Sequence, residues 1–210
     1  MRTFIEALSK TDPIELTGII LSMIYLYLEI RAKTLMWFFG IISSLLMAIV
    51  FFKSAFYADM GLMIYYVIIS IYGWIHWNSN KTQSIVHELP IVRISKRQFI
   101  IGTLILTLGY FTLLQILLNA PEKIGLNAST YPYTDALTVV ASIVATWMLA
   151  QKILEQWYIW IIVNTISTIM FAMKGLNYTT ILYVVYTIGS IIGYINWLKN
   201  YRTQKEVEHA

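Results

Sequence analysis

The stretch WYIWIIVNTISTIMFAMKGLNYTTILYVVYTIGSIIGYINWL, Trp157–Leu198, contains one charged side chain, Lys174. Lys174 and Gly175 divide it into two apolar runs, Trp157–Met173 and Tyr178–Leu198. Each is close to the roughly 20 residues that a helix needs to cross a bilayer core. Both runs are rich in Ile and Val and resemble strands locally, but a buried strand stops after about four to eight residues, so length decides for helix. Working back toward the N-terminus, five more windows read the same way: Leu16–Leu28, extended by Glu29 and Ile30; Thr34–Phe52; Tyr57–Trp77; Phe99–Leu118; and Ala136–Ala150, extended by Thr134 and Asp135. The expected fold is therefore an all-α integral membrane protein with seven transmembrane helices, forming a single transmembrane domain over residues 1–210. Most connections are short, which favours antiparallel neighbours. The exceptions are Asn78–Gln98, holding Lys81, Arg93, Lys96 and Arg97, and Asn119–Tyr133, broken by Pro121 and Pro132.

Composition agrees. Of the 210 residues 58% are hydrophobic and 12% charged, against about 25% charged in a soluble domain. A soluble enzyme is excluded on that ground. The absence of Cys removes disulfides, thiol nucleophiles and thiolate metal sites. A net charge of +4 is too small for a nucleic-acid binder, although its distribution can orient a membrane protein. The first thirteen residues hold Arg2, Glu6, Lys10 and Asp12 and no continuous apolar core, so the first span is expected to act as the targeting signal. Seven spans put the termini on opposite faces. Five basic residues fall on the N-terminal side and ten on the other, which places the N-terminus outside and the C-terminus in the cytoplasm.

Sliding the chain by 120 residues brings the first three spans onto the last three without a gap. Ser22 meets Ser142, Trp37 meets Trp157, Phe51 meets Phe171, Tyr66 meets Tyr186, Ser70 meets Ser190, Gly73 meets Gly193 and Trp77 meets Trp197. The organisation reads as a repeat over about 15–77, a linker helix over about 99–118 and a second repeat over about 135–197. One intervening span leaves both triplets pointing the same way: a 3+1+3 parallel repeat about an axis along the membrane normal, as transporters commonly have.

The three histidines, His76, His87 and His209, stand apart, and there is no catalytic triad, metal-ligand cluster or glycine-rich phosphate loop. No catalytic residue, metal or cofactor is expected. The acids Glu15, Glu29, Asp59 and Asp135 lie near span ends, and an uncharged mid-membrane argues for a passive facilitator over a proton-driven pump. The interior instead offers aromatic rings and amides. Trp157, Trp160 and Asn164 share one face of the sixth span at i, i+3 and i+7, and a carboxamide both donates and accepts. Tyr65, Trp74 and His76 crowd the third span, and Tyr186 and Asn196 the seventh. Such a lining suits a flat ring carrying delocalised positive charge. Trp37, Trp77, Trp197 and Tyr201, at span ends, are expected in an interfacial aromatic belt; the bland alternatives for the others are that Asn164 is interhelical glue and that His76 is an interface histidine.

The run Trp157-Tyr-Ile-Trp160-Ile-Ile-Val-Asn164, followed by Lys174-Gly175-Leu176 and Gly193-Tyr-Ile-Asn-Trp197, resembles the Pnu family of bacterial vitamin transporters. Phe56-Tyr57-Ala58-Asp59 leading into Ile71-Tyr-Gly-Trp-Ile-His-Trp77 does too. The resemblance extends from about Leu16 to Trp197. It implies a seven-helix fold similar to the SWEET sugar transporters, a homotrimer in the bacterial inner membrane, and facilitated diffusion of an unphosphorylated vitamin that a cytoplasmic kinase then traps. Nicotinamide riboside is the first expectation and thiamine the alternative; some relatives carry riboflavin. The family's substrate motif maps onto Trp157, Trp160 and Asn164, and its other aromatics, more loosely, onto Tyr65, Trp74 and Tyr186. Many members have a different residue where this chain has His76. A membrane enzyme or sensor is the rival class, and the dispersed acids at the span ends give it no catalytic cluster.

Overall fold

A computed structural model describes residues 13–53, 57–79, 89–119, 131–175 and 177–208. They form seven helices: α1 (Pro13–Ile30), α2 (Met36–Lys53), α3 (Tyr57–Ser79), α4 (Lys96–Asn119), α5 (Pro132–Ala150), α6 (Gln156–Met173) and α7 (Asn177–Glu208). Six contain a stretch long and apolar enough to cross a membrane, and α1 contributes a shorter one, Leu16–Ile30. At 1.5 Å per residue the 18 residues of α1 reach about 27 Å, near the thickness of a hydrocarbon core. Two boundaries differ from expectation. Pro132 opens α5 inside what reads as a loop, because its fixed φ and missing N–H suit a first helical turn. Helix α7 continues past Leu198 to Glu208 through a charged segment, since Lys, Arg, Gln and Glu are good helix formers once water surrounds them. His87, His209 and Phe56 lie outside the described residues, as does Leu176.

Helix neighbours follow the closed order α1–α2–α3–α5–α6–α7–α1, a six-membered ring, and α4 packs against α5. The outer faces are apolar. Ile68, Ile71 and Ile75 on α3 and Ile188, Ile191 and Ile195 on α7 are all exposed, as are Phe99, Ile100, Leu104, Leu108 and Phe111 on α4, which suits contact with lipid tails.

One end of the ring is closed by four tryptophans. Trp37, Trp77, Trp157 and Trp197 are each at most 1% exposed, so three residues expected in an interfacial belt are core residues instead. Trp37 meets Trp77 edge to face at 5.5 Å and 86°, Trp157 meets Trp197 at 5.7 Å and 84°, and Trp77 meets Trp197 at 6.3 Å. Each edge-to-face pair contributes about 0.5–1.5 kcal/mol beyond burial. Glycine makes the room: a Cβ on Gly73 would come 2.4 Å from the Trp37 ring, and one on Gly193 the same distance from Trp157. Two of the indoles also satisfy helix ends. Trp77 Nε1 donates to Ala150 O at 3.0 Å and Trp197 Nε1 to Glu29 O at 2.9 Å, at the last turns of α5 and α1. Tyr201 is half-buried beside this layer, with the Arg93 guanidinium 5.7 Å from its ring centre.

The turns before α2 and α6 have the same form. Ala32 (φ 52°) and Lys152 (φ 54°) are left-handed. Ala32 and Lys33 N–H bond back to Glu29 and Leu28 O, and Lys152 and Ile153 N–H to Leu149 and Met148 O, the Schellman pattern that normally uses glycine. The segment Leu89–Ile94 lies across this end. Val92 pairs with the α5–α6 turn through Val92 N to Lys152 O and Leu154 N to Val92 O, at 3.0 and 2.9 Å. Lys152 Nζ donates to Leu89 O at 2.6 Å while lying 4.5 Å from the Trp77 ring centre. Glu155 takes Arg93 and the Ile94 N–H, both at 2.9 Å, and that bond holds the Arg93 guanidinium charged above its ordinary range.

Candidate functional site

Next to the tryptophan layer, α6 turns one stripe to the ring interior: Gln156, Trp160 and Asn164 at i, i+4 and i+8, continued by Ser167. Gln156, Asn164 and Ser167 are 0%, 7% and 4% exposed, and polar side chains buried this deeply within a membrane helix require partners or a polar path. Helix α1 runs the opposite way with Ser22, Tyr25 and Glu29 at i, i+3 and i+7. The two stripes meet at the tryptophan end, where Gln156 Nε2 donates to Glu29 Oε1 at 3.4 Å. Glu29 is 4% exposed.

Two turns along α6, Asn164 Nδ2 donates to Ser190 Oγ at 3.1 Å, and Ser190 Oγ donates to Tyr186 O at 2.8 Å. The Tyr186 hydroxyl shares a 2.8 Å bond with Ser22 Oγ and so ties α7 to α1. Across the ring the matching residues, Tyr66 of α3 and Ser142 of α5, also lie near each other. Trp160 Nε1 and Gln156 Oε1 are buried and have no hydrogen-bond partner among the described residues. The interior thus presents indole and phenol rings, one carboxamide held by Ser190 and, along the α6 stripe, an indole donor and an amide acceptor left unengaged. That arrangement can grip a flat, polar, aromatic molecule without a covalent step.

Of the residues singled out from the sequence, Trp160, Asn164 and Tyr186 come together on this interior. Trp157 is packed into the tryptophan layer under Gly193. Tyr65 directs its hydroxyl to Ile143 O at 2.9 Å, a tie between α3 and α5. Asn196 Nδ2 donates to Ile30 O at 2.6 Å and caps the end of α1. Neither these three nor Trp74 and His76 are brought beside Asn164. Trp74 packs on Phe38 at 6.2 Å and lines an outer groove with Ile41, Ile71 and Ile75. His76 stacks on the exposed Tyr72, 5.6 Å between ring centres and 7° between planes. Glu29, Gln156, Ser22 and Ser190 were not singled out as lining residues. A charged or amide residue at a span boundary reads as interfacial, and only closure of the ring, which brings the last turn of α1 to the first turn of α6, joins Glu29 to Gln156. Among the described residues no group of three His, Cys, Asp or Glu side chains is placed to hold a metal ion.

The chain is similar to known proteins over most of its length. The nicotinamide riboside transporter PnuC of Escherichia coli is 27% identical over 207 residues, 90% of this chain and 86% of that protein. The one from Neisseria mucosa is 30% identical over 179 residues, covering 80% and 65%. The riboflavin/roseoflavin transporter RibM of Streptomyces davaonensis is 24% identical over 198 residues, covering 92% and 88%. The crystal structure of the vitamin B3 transporter PnuC superposes with a TM-score of 0.73 at 23% identity, over 96% of this chain and 87% of that one, which shows a shared fold. These proteins are transporters and not enzymes, in keeping with the multi-pass helical architecture. The model of the nicotinamide mononucleotide transporter family matches residues 12–199, and the chain belongs to that family, the Pnu-type membrane transporters its motifs resemble.

Proposed function

We propose that this protein carries out facilitated uptake of an unphosphorylated vitamin, nicotinamide riboside before thiamine, across the bacterial inner membrane. The observation that carries the reading is the interior stripe in which Asn164, fixed by Ser190, lies one turn from Trp160 and opposite the Tyr186–Ser22 pair. Rings on which the base can stack and a carboxamide that can pair with its amide fit a pyridine nucleoside. The names of the PnuC relatives support the substrate, and the absence of charge from the middle of the spans supports passive movement. A 3+1+3 parallel repeat is part of the reading. Support for it comes from positions 120 apart with like geometry: the two edge-to-face tryptophan pairs, the glycines beneath them and the left-handed residues Ala32 and Lys152. An N-terminus outside and a C-terminus in the cytoplasm are also part of the reading, supported by the excess of basic residues on the tryptophan side of the ring. A homotrimer, and trapping of the vitamin by a cytoplasmic kinase, complete the proposal. Titration of the purified protein with both vitamins is the test. Nicotinamide riboside binding that is lost in Trp160→Ala and Asn164→Ala is the expected result; thiamine binding with no response to nicotinamide riboside would replace the first substrate by the second.

A further inference from the structure

Residues 120 apart divide into two classes. The matched pairs build the frame: Trp37 and Trp157, Gly73 and Gly193, Trp77 and Trp197, Ser70 and Ser190. The mismatched pairs include Gly40 against Trp160, Ser44 against Asn164, Met36 against Gln156, Ala145 against Tyr25, and Leu149 against Glu29. In each of these the larger or more polar member stands on one of the two facing stripes of α1 and α6. A ligand without twofold symmetry, bound on a pseudo-twofold axis, requires the two halves to differ where they touch it.

At two of these positions the fold accepts an apolar residue. Met36 and Leu149, at the positions matching Gln156 and Glu29, are both 0% exposed, so apolar side chains fill the corresponding places in the fold. Glu29 is buried, its bond from Gln156 is long at 3.4 Å, and among the described residues no Lys, Arg or His pairs with its carboxylate. Gln156 is 0% exposed and its Oε1 has no partner among the described residues. An unpaired buried acceptor costs about 1–3 kcal/mol, and a buried carboxylate with no cation beside it costs more. A frame built for stability alone would have kept the apolar pair.

We infer that Glu29 and Gln156 belong to the site and that Glu29 selects its charge: with an aromatic ring cation bound beside it, the Glu29 carboxyl group is held ionised and supplies the counter-charge, and Gln156 Oε1 accepts from an N–H on that ligand. This deepens the vitamin reading and rests on it. Glu29 favours a pyridinium or thiazolium over a neutral ring of the same shape, and Gln156 binds either ring.

The test compares nicotinamide riboside with its dihydro form, which keeps the ribose and the amide but has a neutral ring, by calorimetric titration of the protein in nanodiscs. The wild-type protein is expected to prefer the cation by at least about tenfold, each tenfold being about 1.4 kcal/mol. Glu29→Gln, nearly the same in shape and still able to bond with Gln156, is expected to bring the two rings within about threefold through weaker binding of the cation. Equal wild-type binding of the two rings, or an undiminished preference in Glu29→Gln, overturns the inference. The wild-type ratio stands even where a variant fails to fold. Gln156→Met, which installs the residue found at the matching position, is expected to weaken both rings alike and keep the preference; unchanged affinity removes Gln156 from the site. Where thiamine is the vitamin bound, Glu29→Gln is expected to weaken it by about tenfold as well. Wild-type binding of none of these compounds overturns the vitamin reading and the inference together.

Discussion

Replacing Gly193 with Ala tests whether the tryptophan layer is as tightly packed as its geometry implies. The added Cβ would lie 2.4, 2.5 and 2.6 Å from Cη2, Cζ2 and Cζ3 of Trp157, whereas carbon atoms prefer about 3.5–4.0 Å. Trp157 has no slack, because it is 0% exposed and its ring sits edge to face against Trp197 at 5.7 Å. Overpacking of this kind costs about 1–3 kcal/mol. Alanine returns up to about 1 kcal/mol through its better helix propensity, so a net loss of roughly 1–2 kcal/mol is expected. Gly61, with nothing within 4 Å of its added Cβ, is the control. There only the propensity gain applies, and Gly61→Ala should be neutral or stabilising. The assay is thermal unfolding of the purified transporter in detergent, with the two variants moving in opposite directions. Gly193→Ala/Trp157→Phe should recover part of the loss, because the smaller ring vacates the contact. A Gly193→Ala protein that unfolds at or above the wild-type temperature, alongside an unchanged Gly61→Ala, would refute the close-packed layer.

Other consequences can be measured in the same way. Ala32→Gly should stabilise the protein by about 1 kcal/mol, because φ 52° is a position that normally favours glycine; Lys152→Gly should show no such gain, since it also loses the bond to Leu89 O and the contact with Trp77. Glu155→Ala should raise hydrogen exchange in residues 89–94 more than Arg93→Ala does, because it removes both the ion pair and the acceptor for the Ile94 N–H. The Arg93 pair is solvent-exposed and contributes at most about 1 kcal/mol. Trp160→Ala and Asn164→Ala should abolish uptake while the protein still reaches the membrane in wild-type amounts, read by transport and by blotting of membrane fractions. Normal uptake by both would remove them from the site. Tyr186→Phe should weaken uptake less than Asn164→Ala, since it deletes one bond to Ser22 and leaves the ring in place.

Much of the architecture was legible because it rests on length and charge. Apolar runs too long for strands gave the helices, and the single Trp and Gly registers 120 apart marked positions that the structure shows in like geometry. The role of Gly73 and Gly193 was not legible, because their neighbours are tryptophans 36 positions earlier in the chain, brought in by the return of the preceding helix. Trp37, Trp77 and Trp197 were misplaced for a related reason: a tryptophan near a span end faces either the lipid interface or a neighbouring helix, and hydropathy cannot tell which. Trp160 and Asn164 could be paired from helical spacing alone. Glu29 could not be paired with Gln156, since their contact depends on two helices from different halves of the chain meeting at one end of the ring.

The central claim, passive passage of an aromatic vitamin through the six-helix ring, is tested most directly by counterflow in proteoliposomes. Vesicles containing the purified protein are loaded with unlabelled nicotinamide riboside and diluted into labelled nicotinamide riboside. The account predicts a transient accumulation of label that is unchanged by an imposed proton gradient and absent in Asn164→Ala. Failure to exchange the vitamin, or exchange that follows the proton gradient with substrate held equal on both sides, would contradict it.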